Sequence, residues 1–179
     1  MLRSVLALVM IAASASVASA GGFVGIGIGT GPGTSGDVAL DEDGRSGRLM
    51  IGYRLGRLSI EGIGTRYDMI DSGGHPWKST SLALAGKLSF PLGDRFEAFG
   101  RGGYVRTEID ASRSADLRNL DGDGYLLGGG FEYRVDLVAA GAGIFIDYTL
   151  QRNTLTNESG REDLGLTTRL WTLGGIVYF

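Results

Sequence analysis

The chain has 179 residues, a formal net charge of −3 and no cysteine, and it is rich in glycine (32 residues) and poor in proline (3 residues). Without cysteine, it can form neither a disulfide framework nor a zinc–thiolate site. The slightly acidic balance gives no electrostatic reason to expect nucleic acid as a partner. Glycine without a triplet repeat excludes collagen and fits close-packed strands joined by tight turns.

Residues 1–20 have the pattern of a secretory signal peptide. Arg3 precedes the apolar run from Val5 to Ala13, and Ala18-Ser-Ala20 supplies the small residues of a cleavage site. The apolar run is too short to span a bilayer as a helix, and no longer one follows it. We therefore expect an exported protein whose mature part, residues 21–179, is a single domain.

The mature part alternates apolar and polar residues with a period of two, which is the pattern of β-strands. In one segment, for example, Leu82, Leu84 and Leu88 share a face, whereas Ser81 and Lys87 share the opposite one. The pattern predicts an all-β protein with eight strands, near residues 22–30, 46–55, 58–68, 79–90, 96–107, 124–134, 138–150 and 168–179.

Short and long connections alternate between these predicted strands. Residues 56–57, 91–95 and 135–137 are short enough to form tight hairpin links. Gly, Ser, Asp, Asn and Arg are frequent in the other gaps, which are residues 31–45, 69–78, 108–123 and 151–167. The alternation places every long loop at one end of an up-and-down antiparallel sheet, as in barrels of the bacterial outer membrane.

The placement of aromatic residues favours a membrane barrel over a soluble one, although the strand alternation alone fits both. Ten of the sixteen aromatic residues fall into two bands. Tyr53, Phe90, Phe96, Tyr133 and Phe179 lie near the short turns, and Tyr67, Tyr104, Tyr125, Tyr148 and Trp171 lie near the long loops. Two such girdles are typical of transmembrane barrels. Tyr67 also falls with Ile63 on the face that carries Glu61, which indicates either a local bulge or a mixed interior. We predict an eight-stranded up-and-down antiparallel transmembrane β-barrel of the bacterial outer membrane.

Six short segments, in their order and spacing, resemble the OmpA-type eight-stranded outer-membrane barrels, a family that includes the OmpX- and Ail-like small barrels. The segments are Leu58–Glu61, Gly86–Gly93, Phe99–Tyr104, Gly129–Tyr133, Ile146–Tyr148 and Leu173–Phe179. The resemblance implies a monomer that the barrel assembly machinery inserts among outer-membrane lipids and lipopolysaccharide. Family members usually carry an aromatic residue at the position of Val177, and here Tyr178 is displaced to the inner face. Larger members continue into a peptidoglycan-binding domain, which is not expected here because the sequence ends at Phe179.

Charged residues are expected inside the barrel. The resemblance places Glu61, Lys87, Arg101 and Glu132 at positions where the family keeps an interior ion-pair cluster, and the alternation adds Arg48, Arg54 and Asp147. Charges in a narrow apolar tube must be paired, because an unpaired one is costly. Some members place an arginine at the position of Phe145 as a switchable partner for the glutamate, so no gate of that kind is expected. We interpret the network as neutralising.

Catalytic and metal sites are not expected. The only histidine, His75, lies in the Gly/Pro-rich segment 72–79 and lacks the His-x-Ser spacing of barrels that deacylate lipid A. Residues 119–124 resemble the start of a calcium loop, but Gly130 replaces the acid that the loop requires. Together with residues 41–44, they are predicted to be solvated turns.

The expected role is that of a structural or surface-interaction protein, without a cofactor, whose interior is closed by side chains. Met50, Phe99, Phe145, Ile176 and Tyr178 are expected to fill that interior. An extracellular ligand, whose identity the sequence does not indicate, would be contacted through the long loops. A narrow ion-conducting channel is the first alternative, and an enzyme that modifies lipid A is the second.

Overall fold

The structure, a computed structural model, describes residues 21–36, 41–70, 76–110, 120–136, 140–157 and 163–179. These residues form nine strands: β1 (Gly22–Thr30), β2 (Gly33–Gly36), β3 (Asp41–Leu55), β4 (Leu58–Ile70), β5 (Pro76–Pro91), β6 (Phe96–Asp110), β7 (Leu120–Asp136), β8 (Gly141–Asn157) and β9 (Asp163–Tyr178). In the described part of the chain, no helix is long and apolar enough to cross a membrane.

The strands close into a barrel. From β3 to β9, each strand pairs antiparallel with the next one in the chain, and β1 pairs with both β3 and β9. The β1–β9 seam contains seven consecutive residue pairs, from Phe23–Tyr178 to Gly29–Thr172. The last strand therefore has no open edge along the seam. This matters in lipid, where every backbone N–H and C=O group must find a hydrogen-bond partner within the protein.

The short strand β2 continues the course of β1 along β9. It pairs with β9 from Gly33–Arg169 to Gly36–Leu166. The interruption between β1 and β2 includes Pro32, which has no N–H to donate to a ladder. The two pieces together form one barrel strand, so the predicted eight-stranded antiparallel barrel is confirmed.

Strands β3–β9 are longer than the sequence predicts. They contain 13–17 residues, whereas about 9–11 suffice to cross the membrane. The extra residues come from the predicted long loops, so residues 41–44 and 120–124 belong to strands and not to turns. Beyond the hydrocarbon layer a strand can be polar on both faces, so its composition resembles that of a loop.

The short connections largely follow the prediction. Gly56 and Arg57 form the turn between β3 and β4, and Gly56 has a φ of 63°, which glycine adopts without a steric penalty. The β5–β6 link is reduced to residues 92–95 because Pro91 ends β5. The third link is displaced: β7 continues to Asp136 and β8 begins at Gly141.

The barrel is apolar outside and mixed inside. Large apolar side chains such as Ile26, Leu84 and Ile144 are more than 60% exposed on the outer wall. The inner wall holds two buried apolar clusters. The turn-side cluster contains Phe23, Met50, Ile63, Ala85, Phe99, Val105, Leu126, Phe145, Ile176 and Tyr178. The loop-side cluster contains Tyr67, Ile109, Leu120, Leu155, Leu166 and Leu170. A soluble protein has the opposite arrangement, with its apolar side chains inside. An apolar outer surface is what a barrel surrounded by lipid requires.

Tyr67 lies inside the barrel, so its assignment to an aromatic girdle is wrong. Strand β4 keeps an unbroken register with β5 from Leu58 to Ile70, which excludes a bulge. Ile63 and Tyr67 are therefore inward like Glu61, and Tyr67 is only 2% exposed. Its hydroxyl lies 3.4 Å from the Ser81 Oγ. Of the two interpretations offered by the sequence, the mixed interior applies.

Candidate functional site in the barrel interior

Six charged side chains meet inside the barrel. One comes from each of the strands β3–β8, because each occupies an inward position of the two-residue repeat: Arg48, Glu61, Lys87, Arg101, Glu132 and Asp147. We call this set the central cluster. All six residues are 5% exposed or less, and three cations balance three anions. The barrel wall thus surrounds a neutral ionic group with almost no access to solvent.

Asp147 joins two arginines. Its Oδ1 accepts a hydrogen bond of 2.8 Å from the Arg48 Nη1, and its Oδ2 lies 3.0 Å from the Arg101 Nη2. The Thr149 hydroxyl donates a further bond of 3.2 Å to Oδ1. Such charge-assisted contacts are the strong class of hydrogen bond, and they orient both guanidinium groups.

The chain of ion pairs continues through Glu61 to Glu132. The Arg101 Nη1 lies 3.2 Å from the Glu61 Oε2, and the Lys87 Nζ lies 3.8 Å from the Glu61 Oε1. Lys87 also donates a 2.9 Å hydrogen bond to the Glu132 Oε2, and the hydroxyl of Tyr178 donates to the Oε1 of Glu132. Cations and anions therefore alternate without interruption from Arg48 to Glu132.

The ring of Phe99 contacts two cations in the middle of this chain. The Lys87 Nζ lies 4.3 Å and the Arg101 Cζ 4.9 Å from the centroid of its ring. The negative face of an aromatic ring attracts cations, most strongly away from water. Phe99 thus fills the lumen and also stabilises the charges beside it.

Arg54 does not join the central cluster. It forms two hydrogen bonds with Glu97, of 2.8 and 2.9 Å, and the Arg134 Nη1 binds the same carboxylate at 3.1 Å. We call Arg54, Glu97 and Arg134 the turn-side triad. The triad approaches the central cluster where the Arg134 Nε lies 3.9 Å from the Glu132 Oε1. The Arg134 guanidinium also lies 4.4 Å from the centroid of the Tyr178 ring, whose hydroxyl donates to Glu132.

Glu97 and Arg134 were not among the residues singled out from the sequence, although the repeat could have identified them. Glu97 lies two residues before Phe99, and Arg134 lies two residues after Glu132, so both share the inward face. Both lie near the ends of predicted strands, where an inward-facing charged residue is easily mistaken for part of a polar turn.

The outer wall carries most of the predicted girdle residues. Tyr53, Phe90, Phe96, Tyr104, Tyr125 and Trp171 are exposed, and Tyr133, Tyr148 and Phe179 are half-buried. Two of the half-buried rings pack against neighbours, with centroid separations of 4.9 Å for Phe96–Tyr133 and 5.0 Å for Tyr148–Trp171. These rings have the exposure that contact with a membrane interface requires.

The other candidate sites do not gain support. His75 and the signal peptide, residues 1–20, lie outside the described residues. Residues 120–124 belong to β7, so they do not form a calcium loop. No group of His, Cys, Asp and Glu able to hold a metal ion occurs among the residues that the structure describes.

The closed barrel, its apolar exterior and its paired interior charges define a transmembrane barrel protein. The chain belongs to the family of outer membrane protein β-barrel domains, whose profile matches residues 4–178. No curated protein matches the sequence significantly.

Several solved structures share the fold. Neisserial surface protein A (NspA) is 19% identical with a TM-score of 0.67, and the match covers 90% of this chain and 100% of that one. Ail, the attachment invasion locus protein of Yersinia pestis, is 14% identical with a TM-score of 0.56, over 90% and 100% of the two chains. OprG of Pseudomonas aeruginosa is 16% identical with a TM-score of 0.52, over 89% and 96%. At such identities, the similarity establishes the fold alone.

Proposed function

We propose that this protein is a closed structural barrel of the bacterial outer membrane that presents its loops at the cell surface and performs no catalysis. The observation that carries the proposal is the occupied lumen. The central cluster and the turn-side apolar cluster share the interior, and their members are almost fully buried.

The size of the barrel supports a closed interior. Eight strands enclose a space that side chains are just able to fill. Here Asp147 of β8 contacts Arg48 of β3 directly, so side chains from distant strands meet across the lumen. The loop-side apolar cluster adds six large buried residues near the other end. A solute would have to displace all of these groups in order to pass.

A surface role is suggested by where the long connections between strands lie. All four long connections emerge at one end of the barrel, and function in such scaffolds tends to reside in loops. Ail, which shares the fold, is described as an attachment invasion locus protein and has been solved with the heparin analogue sucrose octasulfate. By analogy we propose surface contact for this protein as well, without assigning a partner.

Location in the outer membrane is tested by cell fractionation and by gel migration. We expect the protein to partition with the outer membrane and to migrate differently before and after boiling, because a closed barrel resists unfolding by detergent. Identical migration of boiled and unboiled samples, with recovery in the soluble fraction, would contradict the proposal.

The scaffold and surface roles are separated by a deletion strain. Rescue of an envelope defect by a barrel with shortened loops would support a purely structural role. Rescue that needs the intact loops would support recognition. In either case, the shortened variant must first show the same boiling-dependent migration.

A narrow ion pathway is the second candidate, because polar groups inside the barrel lack protein partners. Both amide atoms of Asn153, the Gln151 Nε2 and the hydroxyls of Thr65 and Thr107 are buried without a hydrogen bond. Buried polar groups of this kind are usually satisfied by internal water. Water between the central cluster and the loop-side cluster would give ions part of a path.

Single-channel recording in a planar bilayer decides between the two candidates. We expect silence, or at most small and intermittent currents. If currents occur, Glu61→Ala and Arg101→Ala are expected to alter them, since each change leaves a buried partner charge uncompensated. Stable openings that pass sugars would refute the closed barrel. Currents unchanged in both variants would show that ions do not pass the central cluster.

A further inference from the structure

The outer wall formed by β1, β3 and β4 has a groove where two side chains are missing. Gly47 and Gly64 face outward, and a Cβ on Gly47 would meet nothing within 4 Å. Exposed Ile26, Ile28 and Leu49 form the sides of the groove, which has a volume of about 430 Å³. The groove is apolar and lies on the face that meets lipid.

A second groove lies on the other side of Ile28. It has a volume of about 530 Å³ and is lined by the apolar side chains of Ile146, Trp171 and Leu173, with Arg45 at one end. Arg66 occupies the corresponding end of the first groove. Ile28 is thus a ridge between two apolar channels, each of which ends at an exposed arginine.

Arg45 lies at the level of the loop-side aromatic residues, and Arg66 is its diagonal neighbour on β4. Arg45 is in register with Thr30, whose Oγ1 accepts a hydrogen bond of 3.3 Å from the Trp171 backbone N–H. Aromatic residues of a barrel mark the interface between hydrocarbon and headgroups. The long-loop end of such a barrel faces the outside, so this interface belongs to the outer leaflet.

The register neighbours of Arg66 leave its guanidinium group available to an anion. Its register partners are Gly47 and Thr80, which are uncharged, and its diagonal neighbours on the flanking strands include Arg45 and Lys78. Asp68 is in register with both of these cations, and Asp110 is in register with Lys78. Glu108 is in register with Thr80. The patch therefore holds as many acidic as basic residues, but Arg66, unlike Arg45 and Lys78, has no acidic residue in register with it.

We propose that this wall binds the lipid A part of lipopolysaccharide, with a phosphate on Arg66 and Arg45 and acyl chains in the two grooves. Guanidinium groups suit phosphate because they offer several N–H donors in one plane. The glycines leave room for acyl chains close to the strands. The proposal rests on the outer-membrane location given under the proposed function and adds a defined lipid site to it.

The site is tested by native mass spectrometry of the purified barrel in detergent with three probes: bisphosphorylated lipid A, dephosphorylated lipid A and phosphatidylglycerol. We expect the unmodified protein to bind bisphosphorylated lipid A at least tenfold more tightly than either of the others. Arg66→Gln is expected to weaken that binding about tenfold, and Arg66→Lys less, because lysine keeps the charge but not the planar donors.

Two further variants make the test specific. Gly64→Leu fills the groove, and its Cβ would lie 3.6 Å from the Leu82 Cδ2, an ordinary contact, so folding is expected to persist while lipid A binding weakens. Arg106→Gln is the matched control, since Arg106 lies on the same outer wall but is paired with Asp121 at 3.3 Å. The control is expected to change binding less than twofold.

Each of three other outcomes would contradict the proposed lipid site. Equal effects of Arg66→Gln and Arg106→Gln would show that no particular arginine binds the phosphate. Phosphatidylglycerol bound as tightly as lipid A would identify an ordinary phospholipid surface. A dimer that Gly64→Leu abolishes would assign the wall to a second copy of the chain. These failures would leave the closed barrel intact, because boiling-dependent migration and the bilayer recordings test it separately.

Discussion

Replacing Asp147 by asparagine is expected to lower the free energy of unfolding by about 3–5 kcal/mol. The Asp147 carboxylate is fully buried and contacts both Arg48 and Arg101. Asparagine has nearly the same shape but no charge, so both guanidinium groups would lose an anionic partner where water does not replace it. Removing one member of a buried ionic group is costly because it leaves the other charges uncompensated.

The measurement is denaturant unfolding of the barrel in lipid vesicles, with Asp121→Asn as the matched control. Asp121 also pairs with an arginine, at 3.3 Å from Arg106, but about half of each side chain is exposed. Exposed pairs contribute about 0–1 kcal/mol, so the control should change stability little. Similar small losses for both substitutions would show that water reaches Asp147.

A double-mutant cycle tests the assigned contact directly. Arg48→Met removes one of the two cations that contact Asp147. The double variant should therefore lose less stability than the sum of the losses of the two single variants. A coupling of about 0.5–3 kcal/mol is expected for residues that share a network. Strict additivity would mean that Arg48 and Asp147 do not interact.

The fold was accessible from the sequence because two simple regularities specify it. The two-residue alternation around Leu82, Leu84 and Leu88 determines which face meets lipid, and the alternation of short and long connections determines the up-and-down order. Both regularities follow from strand geometry, which places successive side chains on opposite faces. A fold defined by neighbouring strands therefore needs little long-range information.

The ends of the strands could not be predicted in the same way. Beyond the hydrocarbon layer, Arg66, Arg106 and Arg152 are exposed on the outer wall and polar residues such as Thr65 and Asn153 line the inside. Apolar alternation disappears there although the ladders continue. The residue types in these segments therefore do not show that the strands continue through them.

The interior charges illustrate a similar limit. Alternation indicates which side a residue faces but not which residue it meets across the lumen. Arg48 and Asp147 are 99 positions apart, and their contact depends on how far each strand is shifted against the next one. For the same reason, the sequence grouped Arg54 with the central cluster, whereas in the structure its partner is Glu97.

Replacing Gly130 by alanine is expected to lower the free energy of unfolding by about 1–3 kcal/mol, the range found for overfilled interiors. Gly130 faces inward on β7 opposite Asp147 of β8. A Cβ at this position would overlap the Ile146 carbonyl oxygen and would lie 2.7 Å from the Asp147 Cα. Because the overlapping atoms belong to the backbone of the next strand, a side-chain rotation cannot relieve the clash.

Gly86→Ala is the control, and the opposite sign is expected for it. Gly86 faces outward on β5, where an added Cβ would meet nothing within 4 Å. Alanine restricts the unfolded chain more than glycine does, so this change should stabilise the barrel by about 0.4–1 kcal/mol. Unfolding of both variants in lipid vesicles measures the contrast. A Gly130→Ala protein as stable as the unmodified one would mean that β7 and β8 approach less closely than the structure places them, and the Asp147 contacts built on that approach would then need revision.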